Sequence, residues 1–179
     1  MMRKNKKNGF TLVECLVAIS ILIIGILSSF ILVTKALYNA TVIQDRLTAS
    51  FLAQEGIELV RNIRDTNFIQ SLNSSGVSWR NGLGKGEASD TCYTIDAFSP
   101  KGITLESVSC NSSRPLKYYK DQNIYNYQTG EDTPFYREIK IEEISDDEIR
   151  VISHLKWKTK NTDFDLEVED HLYNWFKFD

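Results

Sequence analysis

The chain has 179 residues, with 21 Lys and Arg against 24 Asp and Glu and a formal charge of −3, a length that suits one modest globular domain plus something added to it. That balance leaves no basic footprint of the kind nucleic-acid binding needs, so no nucleic-acid partner is predicted. The charge is also uneven: Arg3, Lys4, Lys6 and Lys7 precede the first apolar run, and without them the balance moves from −3 to −7.

From Cys15 to Thr34 no residue is charged and Leu, Ile and Val dominate. About 20 such residues cross the hydrocarbon core of a bilayer as a helix, so a membrane segment is predicted at about 12–34. The lysine-rich flank before it places the N-terminus in the cytoplasm and the remainder outside, by the positive-inside rule. A secretory signal peptide has a shorter apolar core followed by a small-residue cleavage site. Here nothing after Val33 resembles Ala-x-Ala, and the small residue stands in front of the run, in Lys7-Asn8-Gly9-Phe10-Thr11-Leu12-Val13-Glu14.

This order resembles the type IV pilin and type II secretion pseudopilin superfamily, whose leader ends in glycine, followed by phenylalanine, a short apolar stretch and a glutamate. The resemblance implies cleavage between Gly9 and Phe10 by prepilin peptidase, a membrane-embedded aspartyl enzyme that also methylates the new amino group, giving N-methyl-Phe10. Glu14 is then the fifth mature residue. A carboxylate in a membrane costs about 2.5–3.5 kcal/mol on insertion scales, so it calls for a partner. Cleavage creates one, since the new ammonium at Phe10 can pair with Glu14 of a neighbouring subunit and fix axial register. The bland reading is a signal anchor in which Gly9 and Glu14 merely flank the apolar run.

Past the membrane segment, Ile43, Leu47, Phe51, Leu52, Leu59, Val60 and Ile63 recur at three- and four-residue spacing, which extends the helix to about Phe68. A helix over 10–68 is roughly 85–90 Å long, more than a membrane requires. In the pilin family this second half lies on a β-sheet; an independent amphipathic or coiled-coil stalk is the alternative. Many major pilins have a proline in the membrane half, whereas this chain has Ile31 there and no proline before Pro100. Gly25 and Gly56 each weaken the helix by up to about 1 kcal/mol and are expected to allow local bends.

Residues 69–90, with Asn73-Ser74-Ser75-Gly76 and Asn81-Gly82-Leu83-Gly84-Lys85-Gly86, read as a loop. In the remainder, 91–179, strands are predicted at Thr91–Ala97 and Ile103–Cys110, joined through Ser99-Pro100-Lys101-Gly102. Three further runs alternate apolar and charged residues: Ile139 and Ile141; Ile149, Val151, Leu155 and Trp157; Phe164, Leu166, Val168 and Leu172. Polar turns at Ser145–Asp147 and Lys160–Asp163 make them an antiparallel meander with one apolar face for the helix to cover. The fold class is therefore α+β and pilin-like, with a cleaved leader at 1–9 and a long N-terminal helix on a C-terminal antiparallel sheet.

Cys92 and Cys110 both lie in the exported part and are expected to form a disulfide, two reduced half-buried cysteines being the alternative. Cys15, inside the membrane helix, reads as a small apolar residue. The expected register puts His154 opposite Glu169 and His171 opposite Ile152, which offers a surface ion pair and no ligand set, so neither metal, cofactor nor catalysis is predicted. Tyr118-Tyr119 and Tyr125-Asn126-Tyr127 are either gap-fillers under loops or a binding surface. Ser145-Asp146-Asp147-Glu148 lacks the spacing and glycine of a calcium loop.

The expected role is a minor pilin or pseudopilin, a substrate of prepilin peptidase and not an enzyme. Its expected partners are other pilin or pseudopilin subunits and an inner-membrane assembly platform, first in the cytoplasmic membrane and then in a cell-surface or periplasmic filament. Tip subunits of the family it resembles often lack the glutamate and carry large inserted domains, so the resemblance, with Glu14 kept and no insert, implies a position below the tip. The alternative is a single-pass membrane protein whose β domain binds a ligand without polymerising.

Overall fold

A computed structural model describes residues 9, 11–73, 76–84, 91–100, 102–111 and 114–175. The chain divides into two compact units, Met1–Ile43 and Gln44–Asp179. One helix, α1 (Leu12–Asn73), supplies the described structure of the first unit beyond Thr11 and continues into the second.

In the first unit α1 is long and apolar enough to cross a membrane, and every residue from Leu12 to Leu37 is exposed. Its few hydroxyls are satisfied by the helix itself: Ser20 donates to the Leu16 carbonyl at 2.8 Å, Ser28 to Ile24 at 2.7 Å and Ser29 to Gly25 at 2.9 Å. In lipid, where no water is at hand, this back-bonding removes the cost of an unpaired donor.

In the second unit α1 packs on a five-stranded antiparallel sheet in the order β2-β1-β6-β7-β8. Its strands are β1 (Thr91–Ile95), β2 (Leu105–Ser109), β6 (Tyr136–Ser145), β7 (Glu148–Thr159) and β8 (Thr162–Tyr173). The predicted hairpin and meander are thus halves of one sheet, joined where Tyr93 of β1 faces Ile139 of β6. A second small sheet that alternation does not predict, β4-β3-β5, is made of β3 (Lys117–Tyr119), β4 (Ile124–Asn126) and β5 (Glu131–Asp132).

Small residues let the helix approach the sheet. Ala49, Ala53 and Gly56 are buried on its inner face. A Cβ on Gly56 would stand 2.8 Å from Ile139 Cδ1 and 3.1 Å from Ser153 Oγ. Gly56 therefore serves close packing of the helix on the sheet. Leu52, Ile57, Leu59 and Val60 fill the core from the same side.

Four expectations are corrected. Ile43, Leu47 and Phe51 do not join that inner face; they are 67%, 56% and 62% exposed. Recurrence every three or four residues does not separate one broad apolar face from two, and here there are two. The helix ends at Asn73, not Phe68: it runs on past the buried Phe68, and in its last turns the Ser71 hydroxyl donates to the Phe68 carbonyl at 2.7 Å and the Asn73 amide to the Ile69 carbonyl at 3.2 Å. The loop accordingly begins after Asn73. In the first hairpin β1 stops at Ile95 and β2 starts only at Leu105, so both strands fall short of the predicted turn.

The β7–β8 register also differs. Thr159 faces Thr162 across a tight turn with Lys160 at φ 55°, where a four-residue turn is expected from the sequence. His154 therefore faces Glu167, and His171 faces Arg150. A shift of two residues keeps every side chain on its face, which is why the predicted apolar side survives the error.

Candidate functional site: the N-terminal processing and assembly segment

Gly9 is exposed and outside the helix, Thr11 is non-helical, and α1 begins at Leu12. Phe10 lies outside the described residues. Thr11 is followed three positions later by Glu14, and the two form a reciprocal cap. The Thr11 backbone N–H donates to Glu14 Oε2 at 2.9 Å, and the Thr11 hydroxyl donates to the same oxygen at 2.9 Å. In return the Glu14 N–H donates to Thr11 Oγ1 at 3.3 Å. This is a capping box, which satisfies orphan donors of the first helical turn and sets a carboxylate at the positive end of the helix dipole.

The box gives Glu14 a local partner that reasoning from charge cost alone overlooks. The Thr-x-x-Glu signature in the sequence is the signal that finds it. Both donors engage Oε2. Among the described residues Oε1 accepts no hydrogen bond.

Cys92 and Cys110 are joined in a disulfide with Cα atoms 5.0 Å apart. Cys92 faces Val108 across the β1–β2 pair, so the bond ties the edge strand β2 to its neighbour. Cys15 is free and exposed on the apolar run.

Helix and sheet are also held by polar ties. Arg137 is only 2% exposed; its Nη1 donates to the Leu52 carbonyl at 2.8 Å and reaches Glu55 Oε2 at 3.3 Å, while Nη2 donates to the Ile95 carbonyl at 2.7 Å. One guanidinium thus bridges α1, β1 and β6, using the planar fork that suits arginine to buried acceptors. The Tyr127 hydroxyl donates to the Arg137 carbonyl at 2.8 Å. Arg61 pairs with Asp170 of β8 at 2.6 Å, and the Thr159 hydroxyl donates to Asp45 at 2.6 Å. The Asp170 carboxylate holds the Arg61 guanidinium above its usual range.

Tyr127 is buried beneath the Arg114 guanidinium, 5.2 Å from its ring centre, and Tyr125 stands edge-on to Phe135. His171 Nδ1 lies 2.6 Å from Glu148, and His154 is 3.9 Å from Asp165. Among the described residues no group of three or more His, Cys, Asp or Glu side chains is placed to hold a metal.

The family whose sequence pattern matches this chain is the prokaryotic N-terminal methylation motif, over residues 4–30. No curated protein and no solved structure matches the chain. The chain thus carries a prepilin-type N-terminal motif, the mark of a prepilin peptidase substrate, on an α+β pilin-like architecture.

Proposed function

We propose that the chain is a minor subunit of a type IV pilus or type II secretion pseudopilus. In this reading prepilin peptidase cuts between Gly9 and Phe10 and methylates Phe10. The cytoplasmic membrane then holds the subunit, with its β domain outside, until α1 docks among the helices of other pilin-type subunits on an assembly platform. The chain is the peptidase's substrate rather than an enzyme.

The observation that carries this reading is the methylation motif at residues 4–30 ending in a helix whose third residue is Glu14. A second observation favours it over a lone membrane anchor. Ile43, Leu47 and Phe51 lie 9 to 17 residues past Thr34, one helical turn apart, and remain exposed. An anchored monomer gains nothing from an apolar stripe beyond the bilayer, whereas a subunit packed among other helices covers it. The non-polymerising alternative draws on an open groove of about 610 Å³ bordered by Tyr136, His154, Lys156 and Phe164.

The test is a photo-crosslinking amino acid at position 47. The expected product is an adduct to another protein with a methylated, prepilin-type N-terminus, identified by mass spectrometry. A processed protein that gives only lipid adducts or none supports the anchored alternative.

A further inference from the structure

The two oxygens of Glu14 are not equivalent. Oε2 is engaged twice, by the Thr11 amide and by the Thr11 hydroxyl, while Oε1 accepts nothing among the described residues. The hydroxyl also accepts from the Glu14 N–H, so the side chains are locked to one another and to the first helical turn. Val would fill almost the same space as Thr but could do neither of these things.

We propose that Thr11 is a positioning residue for assembly: it fixes the Glu14 carboxylate through Oε2 so that Oε1 is held ready for the ammonium that cleavage creates on a neighbouring subunit. This rests on the functional reading above and adds to it. A carboxylate on a flexible side chain must lose rotamer freedom when it pairs, and a group already fixed loses less. Two donors on Oε2 also offset part of the cost of holding an ionised carboxylate at a membrane before any neighbour arrives. The ammonium then completes a site that Thr11 has half built.

The experiment compares Thr11→Val, Thr11→Ser and Glu14→Ala in the full-length precursor. For each, the cleaved fraction is read by mass spectrometry of the membrane protein and the assembled fraction from sheared filaments. All three variants are expected to be cleaved. Thr11→Val should assemble about tenfold less than the parent, the scale of one hydrogen bond to a charged group. Thr11→Ser, which keeps the hydroxyl, should restore assembly.

Normal assembly of Thr11→Val beside failed assembly of Glu14→Ala overturns the positioning role and leaves the functional reading intact. Equal impairment of the Val and Ser variants overturns it too, since the hydroxyl would not be what matters. A cleavage defect in Thr11→Val moves the role of Thr11 to peptidase recognition and also overturns the proposal. Normal assembly of Glu14→Ala refutes the pairing itself, and with it the reading on which the inference stands.

Discussion

Residues 12–43 and 44–73 of α1 belong to one hydrogen-bonded helix, yet they meet their surroundings in opposite ways. In the first stretch the helix is uncharged from Cys15 through Thr34, its residues are exposed through Leu37, and its hydroxyls turn back onto its own carbonyls. In the second, one face made of small and branched residues is buried against a sheet, polar ties at Asp45, Arg61 and Leu52 fasten it, and Leu47 and Phe51 point away. The difference teaches where each half finds its stability. The first calls for an apolar surrounding such as lipid or other helices, whereas the second packs against its own domain.

Several substitutions would break or sharpen that contrast. The largest effect on the second half is expected from Arg137→Ala, which empties a core position and leaves the Leu52 and Ile95 carbonyls without their donor. A loss of about 3–4 kcal/mol in urea unfolding of the β domain is predicted, and an unchanged midpoint would show that the guanidinium does not tie helix to sheet. Next comes removal of the disulfide in Cys92→Ser with Cys110→Ser. Closing a loop with a sequence separation of 18 residues contributes up to about 3 kcal/mol in the chain-entropy account, to be read as a lower melting temperature that reductant no longer shifts.

Gly56→Val should cost about 1–3 kcal/mol, because the added atoms meet Ile139 and Ser153 and the overpacking exceeds the gain in helix propensity. A stabilised variant would mean that the helix can lift off the sheet freely. Acid titration probes a weaker tie. Lys140 and Arg150 hold the Glu142 carboxyl below its ordinary range. Its contribution is fully present above the usual carboxylate pKa and is lost as pH falls through the lowered value. Glu142→Gln should therefore flatten that part of the acid limb, as measured by unfolding at pH 7 and in the acid range.

Least disturbed should be the stability of a Leu47→Gln, Phe51→Gln double variant, which ought to stay within about 0.5 kcal/mol of the parent because both side chains are already in water. Filament incorporation of the same variant should fall. A large stability loss instead would place the stripe in the domain's own core.

The elements differ in how legible they are in the amino-acid sequence. The methylation motif over residues 4–30 is a fixed order of residues along the chain, so local pattern suffices to recognise it. The faces of β6, β7 and β8 are legible too, because alternation survives a register error of two. The register itself depends on a turn in which Lys160 takes a left-handed conformation, and nothing in a lysine announces that. Arg137 shares its parity along β6 with Ile139 and Ile141, so the pattern does place it inward; its charge argues the other way, and only the converging carbonyls resolve the conflict. The split of the helix into two apolar faces depends on where a distant sheet packs, which periodicity does not encode. The Thr11–Glu14 box is local and readable, and it is missed when Glu14 is weighed only as a charge.

The central claim is that this chain is cut between Gly9 and Phe10 to free the end through which α1 assembles. The most direct test is the mass of the N-terminal peptide from membrane-extracted protein, made in cells with and without active prepilin peptidase. The prediction is a peptide beginning at N-methyl-Phe10 in the first and a retained leader in the second. An intact Met1 or Met2 terminus in cells with the active peptidase would contradict it.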